Sequence, residues 1–169
     1  MRVLIAFQAE SKSNAKVAGT MRQEFERLGW QTEVCPVLAK KSMKWFHHVK
    51  EFRKKKKIEL KSGPTDVLPF DLIVVGTPVW AYKPTPLMTT FLRELQNANG
   101  KNFAVFVTCV GFPGTTLKTI SGILHTKSAR VIDSLVLRSI FELDEKKLAL
   151  AKEFAKSLAE NKAFEEKKE

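Results

Sequence analysis

A short polar segment near the start of the chain has the residue types that bind an anion. Ser11-Lys12-Ser13-Asn14 lies between a strand-like run, Arg2–Phe7, and a segment with helical spacing that starts at Lys16. Hydroxyl and amide side chains at a helix N-terminus, together with free backbone N–H groups, can hold a phosphate or a carboxylate. The ammonium of Lys12 would add a full positive charge. The alternative is that Ser11, Ser13 or Asn14 only caps the helix.

A second candidate group carries aromatic side chains. Thr77-Pro78-Val79-Trp80-Ala81 follows the apolar, β-rich run Leu72–Val75. Gly76 and Pro78 predict that the strand ends there, because glycine loosens the backbone and proline removes a hydrogen-bond donor. An aromatic ring on the proline-stiffened loop that follows could stack on a flat ligand. Trp80 could equally cover the edge of the sheet.

A third turn, rich in glycine and proline, begins at Cys109-Val110-Gly111-Phe112 and opens another helix. Thr115 or Thr116 could only cap that helix, and Phe112 could only close the edge of the core. Cys109 could take part in thiol redox chemistry, although burial as a small apolar residue is the simpler interpretation. Cys35 is far away in the sequence, so the two cysteines form no CxxC or metal-ligand cluster, and no metal site is predicted.

Strand-type runs and helical stripes alternate along the chain, which predicts the elements that position these turns. The strand-type runs are Arg2–Phe7, Gln31–Pro36, Leu72–Gly76, Phe103–Cys109 and Val131–Arg138. Alternation of this kind predicts βαβ units and a parallel sheet covered on both faces, an α/β three-layer sandwich in a single domain, residues 1–169. Ligands of such sheets bind beyond the carboxyl ends of the strands, where the strand order reverses. The three turns are therefore expected to converge.

The chain resembles the flavodoxin-like family in element order along essentially its whole length. The best match covers Asp71–Pro86 and Phe103–Leu117, where family members run from a strand into Ser/Thr-Pro-Val-Tyr/Trp-Ala and then a proline-led helix. The resemblance implies a five-stranded parallel sheet of order 2-1-3-4-5 with flavin mononucleotide (FMN) bound at the switch point. It also implies an electron carrier or a small FMN-dependent oxidoreductase, for which NAD(P)H is one conceivable electron donor.

The resemblance assigns roles to individual residues but no catalytic acid or base. The FMN phosphate would lie on Ser11, Lys12, Ser13 and Asn14; the isoalloxazine would be lined by Thr77, Pro78, Val79, Trp80 and Ala81, with Trp80 stacked on it, and by Cys109, Val110, Gly111 and Phe112 on the opposite wall. The family's phosphate loop usually reads Thr-Gly-Asn-Thr. Lys12 in place of the glycine would either block a backbone conformation with positive φ or supply charge to the phosphate.

The positive charge of the chain is concentrated in one segment. Between Lys40 and Lys61 there are ten Lys or Arg and two Glu, out of a formal net charge of +11 for the whole chain. Met43, Phe46, Val49 and Phe52 have helical spacing, and Lys54–Lys57 follows them. Residues 40–66 are therefore predicted to insert a basic amphipathic helix between the second and third strands. Residues 161–169 are charged enough to fray.

This charge favours an electron-transfer partner with an acidic surface. The alternative is a flavodoxin fold with weak or lost FMN binding that acts as a basic interaction module. Its partner would be an acidic protein, nucleic acid or an anionic membrane bound through Lys54–Lys57. A solvated lysine run is the blander interpretation, and a lid formed by Trp45 and Phe46 over the flavin is a third. The oligomeric state is not predicted.

Several other classes are excluded or disfavoured by the sequence. The chain has no GxGxxG, no GxxxxGK[ST] and no GxSxG motif, which argues against a Rossmann dehydrogenase, a P-loop NTPase and an α/β hydrolase. No apolar stretch is long enough to span a membrane. The N-terminal run lacks the features of a signal peptide, so a cytoplasmic location is expected.

Overall fold

The computed structural model describes residues 1–40, 58–62, 65–140, 142–161 and 164. Within these residues strands and helices alternate in the order β1 Arg2–Gln8, α1 Lys12–Arg27, β2 Gln31–Ala39, β3 Leu60–Ser62, β4 Leu72–Trp80, β5 Lys83–Pro84, α2 Pro86–Glu94, β6 Asn102–Cys109, α3 Thr116–His125, β7 Arg130–Arg138 and α4 Glu145–Ala159.

The central sheet has the order β3-β2-β1-β4-β6-β7, with β5 paired to β4. The five long strands β2, β1, β4, β6 and β7 pair in parallel, which confirms the predicted order 2-1-3-4-5. The antiparallel strands β3 and β5 were not predicted, because strands of three and two residues show no periodicity. The sheet therefore has seven strands in the described chain rather than five.

Both faces of the sheet are buried, as expected of a parallel sheet whose strands are continuous apolar runs. Val3 and Ile5 of β1 pack on one face in the core that includes α1 and α4, and Leu4 and Ala6 pack on the other, in the core that includes α2 and α3. Gly29 ends α1 with a φ of +81°, the left-handed conformation that its position after the helix predicts.

Helix α1, which carries the first polar turn, is joined to α4 by a buried carboxylate. The Glu24 side chain is only 3% exposed, and Oε1 lies 2.6 Å from Nη2 of Arg27 on the same helix and Oε2 3.9 Å from Nζ of Lys152 on α4. The hydrogen bond from Arg27 holds the pKa of Glu24 below its ordinary value of 4.5. These contacts fix α1 against its neighbour.

Phe164 lies within the segment that was predicted to fray, and it is part of the core. Phe164 is 1% exposed and contacts Trp30 edge-on, with ring centroids 5.3 Å apart. Its N–H donates to the carbonyl of Asn161 at 2.9 Å. The expectation of fraying from about Asn161 therefore does not apply to Phe164, because this aromatic side chain completes the core beneath α1.

The predicted basic helix, with Trp45, Phe46 and Lys54–Lys57, falls on residues 41–57 and lies outside the described residues. The residues that flank it are described. Lys40 donates its N–H to the carbonyl of Glu59 at 2.9 Å, and their side chains form an ion pair of 3.1 Å. Among the described residues, no helix has the length and apolar character needed to cross a membrane.

Candidate functional site

The turn after β1 ends earlier than predicted, because α1 begins at Lys12 rather than at Lys16. Ser11 is the N-cap, and its hydroxyl accepts the N–H of Asn14 at 3.3 Å. The capping interpretation of Ser11 is thus confirmed. It leaves the N–H groups of Lys12 and Ser13 outside the intrahelical pattern, since the first N–H groups of a helix have no carbonyl partner within it. An anion at this helix end would meet both.

Lys12 does not have the positive φ angle that would require a glycine at this position. Among the described residues other than glycine, positive φ angles occur at Ala81, Tyr82, Asn97 and Ser128, and Lys12 is helical. Its side chain is exposed, and its charge contributes, after that of Lys16, to lowering the pKa of Glu142. Of the two consequences predicted for Lys12, the backbone conflict is absent, and the added charge is the one that the structure permits.

Asn14 links the first turn to the end of β6. Its side chain is fully buried, and Oδ1 accepts the hydroxyl of Thr108 at 2.6 Å. The other end of the amide, Nδ2, has no hydrogen-bond partner among the described residues. A buried N–H donor without a partner costs about 1–3 kcal/mol and calls for a ligand or an ordered water. The unpartnered donor therefore lies where α1 meets the carboxyl end of β6.

The predicted end of the third long strand at Gly76 is wrong, since β4 continues to Trp80. Pairing with β6 runs on through Pro78, which lies opposite Thr108. Pairing with β1 stops at Gly76, so Pro78 lies where β4 no longer has a partner on that side, and proline is tolerated there. Gly76 itself is required by packing, because a Cβ on it would lie 2.0 Å from Cζ of Phe106.

Beyond Trp80 the chain turns back tightly instead of forming the expected loop. Trp80 pairs with Lys83 of β5, so Ala81 and Tyr82 are the two central residues of a hairpin. Their φ angles are +47° and +61°. Two-residue hairpins of type I′ need positive φ at both central positions and favour Asn-Gly there. Two residues with a Cβ in this conformation cost about 1–2 kcal/mol each, so the hairpin is strained.

Contacts with the third turn hold this hairpin. The carbonyl of Tyr82 accepts the N–H of Thr115 at 2.8 Å and its hydroxyl at 3.3 Å. Gly114 has a φ of +56°, and a Cβ on it would lie 2.3 Å from the same carbonyl oxygen. Thr115 occupies the N-cap position of α3 but makes no side-chain capping bond, because its hydroxyl binds Tyr82. The second and third turns are thus joined directly.

A buried polar connection lies beneath the hairpin. Thr85 caps α2 by accepting the N–H of Met88 at 3.3 Å, and its hydroxyl donates to Oε1 of Gln8 at 2.5 Å. The hydroxyl of Thr77 accepts the N–H of Thr85 at 3.5 Å, so Thr77 is engaged inside the protein. Roles for Gln8 and Thr85 at this site were not predicted from the sequence. The signal for Thr85 was present, since a threonine followed by proline marks a helix N-terminus.

The turn after β6 forms an exposed wall. Val110 and Phe112 are 69% and 72% exposed, and the guanidinium carbon of Arg138 lies 5.7 Å from the centroid of the Phe112 ring. Phe112 therefore does not close the core. Cys109 is buried, and its thiol donates to the carbonyl of Gly111 at 3.3 Å. Burial raises the pKa of Cys109, with an opposing effect from the charge of Arg138.

A groove of about 420 Å³, which was not predicted from the sequence, opens beside this wall. It is lined by Val110, Arg138, Ser139, Ile140, Glu142, Asp144 and Lys147. Two of its carboxylates are paired, Glu142 with Lys16 at 2.6 Å and Asp144 with Lys147 at 2.9 Å. The first of these pairs ties the N-terminal part of α1 to the chain after β7. Arg138 forms no ion pair within the described chain.

All the residues predicted to contact a ligand lie at the carboxyl edge of β1, β4 and β6. Ser11, Lys12, Ser13 and Asn14 form the end of the site at α1; Thr77, Pro78, Val79, Trp80 and Ala81 run along β4 into the hairpin; Cys109, Val110, Gly111 and Phe112 follow β6. Trp80 is half-buried at the end of β4 rather than at the tip of a loop. The arrangement pairs a helix end whose first N–H groups have no partner within the helix with a wall of exposed apolar and aromatic groups.

Comparison with known proteins supports this architecture through structure rather than sequence. No family model and no curated protein matches the chain. Many solved structures do, and a flavoprotein in complex with FMN from Lactobacillus acidophilus NCFM superposes with a TM-score of 0.65 and 17% identity, over 80% of this chain and 91% of that one.

Two flavodoxins cover nearly all of the chain. Oxidised flavodoxin 1 from Bacillus cereus matches with a TM-score of 0.68 and 15% identity, over 95% of this chain and 99% of its own. A flavodoxin from Streptococcus pneumonia TIGR4 matches with a TM-score of 0.65 and 18% identity, over 94% and 98%. At such identities the likeness establishes the fold. The chain has the flavodoxin-like fold.

Proposed function

We propose that this protein binds FMN at the carboxyl edge of β1, β4 and β6 and acts as an electron carrier or a small FMN-dependent oxidoreductase. The observation that carries the proposal is the convergence of three turns, joined by the Thr108–Asn14, Thr85–Gln8 and Thr115–Tyr82 hydrogen bonds. The proposal is also supported by the fold, since a structural neighbour with 17% identity is a flavoprotein in complex with FMN.

The end of the site at α1 suits the phosphate. The N–H groups of Lys12 and Ser13 and the positive end of the helix dipole favour an anion there. Nδ2 of Asn14 is a buried donor that still lacks an acceptor among the described residues. The exposed ammonium of Lys12 adds a mobile positive charge. These groups fit a dianionic phosphate better than they fit a neutral ligand.

The remainder of the site suits a flat aromatic ring. Trp80 and the hairpin lie on one side, and Val110, Gly111 and Phe112 follow the adjacent strand on the other. Parallel pairing of Pro78 with Thr108 keeps the two walls side by side. When bound, FMN would supply the redox chemistry. The residues of this chain would bind it, orient it and limit the access of water to its ring. We assign no catalytic acid or base.

Titration of the purified protein with FMN and with riboflavin tests this proposal, because riboflavin has the same ring but no phosphate. When FMN binds, its fluorescence should be quenched and its visible absorbance band should shift, with a Kd below about 10 µM. Riboflavin should bind at least about tenfold more weakly, since one charge-assisted phosphate contact accounts for about that factor. No spectral change with either flavin at high concentration would overturn the proposal.

Two variants separate the phosphate end from the ring wall. Ser11→Asp keeps a good N-cap residue, so α1 should fold normally, but it places a carboxylate beside the phosphate. It should weaken FMN binding by about tenfold and leave riboflavin binding nearly unchanged. Trp80→Leu should weaken both ligands by a similar factor. Equal losses for both flavins in Ser11→Asp would show that the phosphate lies elsewhere.

The basic segment supports a second candidate function. Ten Lys or Arg between Lys40 and Lys61 could serve a protein that has lost FMN and binds acidic protein, nucleic acid or anionic membranes. This candidate predicts binding to heparin or anionic vesicles that falls steeply with salt and disappears when Lys54–Lys57 are replaced by glutamine. Tight FMN binding together with salt-insensitive behaviour towards both probes would eliminate it.

A further inference from the structure

We propose that the carboxyl edge of the sheet is a docking surface for an acidic protein. The surface, called here the rim, consists of the exposed apolar side chains of Tyr82, Val110, Phe112 and Ile140 together with the cations of Lys83 and Arg138. This inference deepens the proposed function by describing a partner. It rests on the proposed function only for the electrons that the partner would exchange with bound FMN. Docking itself can be measured without any flavin.

The apolar part of the rim is concentrated at one end of the molecule. Large apolar side chains that are strongly exposed in the described chain are Leu68, Tyr82, Val110, Phe112, Ile140 and Leu150, at 54–73% exposure. Four of them follow β4, β6 and β7 at the carboxyl edge. The four come from three loops, with Val110 and Phe112 in the same one, so their common location is a property of the fold rather than of one apolar segment. Clusters of this kind mark interaction sites.

The charge of the rim is positive. Lys83 lies in the hairpin beside Trp80, and Arg138 ends β7 with its guanidinium over the Phe112 ring. Neither side chain forms an ion pair with any part of the chain that the structure describes, whereas Glu142 and Asp144 nearby are paired with Lys16 and Lys147. The carboxylates at this edge after β7 are thus largely neutralised, and the two cations remain available to a partner.

The chain on either side of residues 41–57, which the structure does not describe, lies at the same edge of the sheet. Lys40 follows the end of β2, and its N–H donates to the carbonyl of Glu59 on the returning chain. The neighbouring strand β1 ends at Gln8, which pairs with Val37 of β2, so Lys40 and Glu59 lie next to the candidate site. The cations of Lys83 and Arg138 would attract an acidic surface to this edge and speed its encounter with the rim.

The composition of the rim favours a protein over nucleic acid or membrane. Exposed aromatic residues and arginine are the types enriched at the centre of protein interfaces. A nucleic-acid groove needs a row of cations along its path, and the described rim alternates cations with apolar groups and has Glu10 exposed beside it. Membrane-surface binding uses a continuous apolar helix face, whereas the rim is built from loops.

Binding of two small haem proteins of opposite charge tests the proposal. Acidic cytochrome b5 and basic cytochrome c serve as probes, each titrated into the flavin-free protein at low and at moderate salt. Cytochrome b5 should bind and cytochrome c should not. Arg138→Glu should weaken cytochrome b5 binding by about tenfold, since reversal of one interfacial charge removes an attraction and adds a repulsion. Phe112→Ala should weaken it by about threefold or more.

The chain offers matched controls for both variants. Arg130→Glu makes the same charge change at the other end of β7, on the amino edge of the sheet. Leu68→Ala removes an equally exposed apolar side chain that precedes β4 at that amino edge. Both controls should change cytochrome b5 affinity by less than about twofold.

Equal losses of cytochrome b5 affinity in Arg138→Glu and Arg130→Glu would overturn the proposed docking surface, because they would show that net charge alone attracts the partner. Tighter binding of heparin or anionic vesicles than of cytochrome b5, lost in Arg138→Glu, would replace the protein partner with nucleic acid or membrane. FMN titrations of the same variants keep the two proposals apart. If the rim binds cytochrome b5 while FMN does not bind, the flavin proposal fails and the docking surface stands.

Discussion

The turn after β1 and the hairpin after β4 lie at the same candidate site, and they are built in different ways. Ser11-Lys12-Ser13-Asn14 forms a capped helix start with ordinary backbone angles. Ala81 and Tyr82 both have positive φ angles with no glycine to relieve them. The first turn is stabilised locally by the Ser11 cap. Its unusual features are two side-chain groups, the buried amide donor of Asn14 and the exposed ammonium of Lys12. The second depends on contacts from a distant part of the chain.

The difference indicates which part of the site is stabilised by local contacts and which part by contacts with a distant segment. A strained backbone persists only when its surroundings hold it, and the Tyr82 carbonyl is held by Thr115 and packed against Gly114. The phosphate end needs no such support. We therefore expect substitutions in the turn after β6, which holds the hairpin, to alter stability strongly. Substitutions in the turn after β1 should alter ligand affinity with little effect on stability.

Gly114→Ala should have the largest effect. The new Cβ would lie 2.3 Å from the Tyr82 carbonyl oxygen and 2.4 Å from its Cβ, and a φ of +56° disfavours alanine as well. We expect a loss of about 2–3 kcal/mol in the free energy of unfolding, measured by urea denaturation, together with weaker FMN binding.

Gly111→Ala is the matched control for this change. Gly111 belongs to the same turn, is exposed, and has nothing within 4 Å of the position of an added Cβ. Its effect on stability should be within about 0.5 kcal/mol. Similar losses in the two variants would show that the whole turn is sensitive, and the specific link between Gly114 and the hairpin would be refuted.

Lys12→Gln should have the next largest effect, and on affinity rather than on stability. Loss of the ammonium should weaken FMN binding by about fivefold, or about 1 kcal/mol, with riboflavin binding unchanged and the free energy of unfolding nearly unchanged. The salt dependence of FMN affinity should also become shallower. Paired isothermal titrations of the two flavins measure all of these quantities.

Lys12→Gly makes the complementary test, since it restores the residue that the resemblance expects. Because Lys12 is already helical and unstrained, glycine would bring no conformational gain and would lose the charge. FMN should therefore bind this variant more weakly than it binds the unmodified protein. Tighter binding would mean that Lys12 obstructs the phosphate. The first turn could then no longer be described as unstrained and suited to the phosphate, in contrast to the strained hairpin.

The sequence predicted most of the fold because its signals are local or follow from alternation. β1 and β6 are continuous buried runs, and the stripe Val17, Ala18, Met21 and Phe25 is the buried face of α1. The sheet order followed from the family resemblance. The candidate site residues were placed at one edge because parallel strands end together there.

The parts that were not predicted depend on contacts that are distant in sequence. β4 continues past Gly76 because it pairs with β6 through Pro78 and with β5 at Val79 and Trp80, and no local pattern contains those pairings. The turn Ala81-Tyr82 lacks the Asn-Gly signature of a tight hairpin, and it is imposed by Gly114 and Thr115 more than thirty residues later. Asn14 could be read as a cap, but its unpartnered Nδ2 is visible only in three dimensions.

Ala81→Gly tests the strain directly and should stabilise the protein. Glycine adopts positive φ without a steric penalty, so the variant should gain about 0.5–1 kcal/mol in the free energy of unfolding. Ala15→Gly is the matched control, because Ala15 is exposed in the first turns of α1. The same chemical change should there cost about 0.5–1 kcal/mol. Opposite signs would confirm the comparison, and a loss in both variants would contradict it.

Cys109 should give the smallest effect on flavin binding, although it lies at the wall beside the hairpin. Its thiol is buried and donates to Gly111, and burial raises its pKa above the ordinary value of 9.0. Since the thiolate is the reactive form, alkylation by iodoacetamide should be slow at neutral pH and should accelerate with a midpoint above pH 9.0. Cys109→Ser should change FMN affinity by less than about twofold. A midpoint below that pH would instead identify a stabilised thiolate, and thiol redox chemistry would then have to be added to the role of this wall.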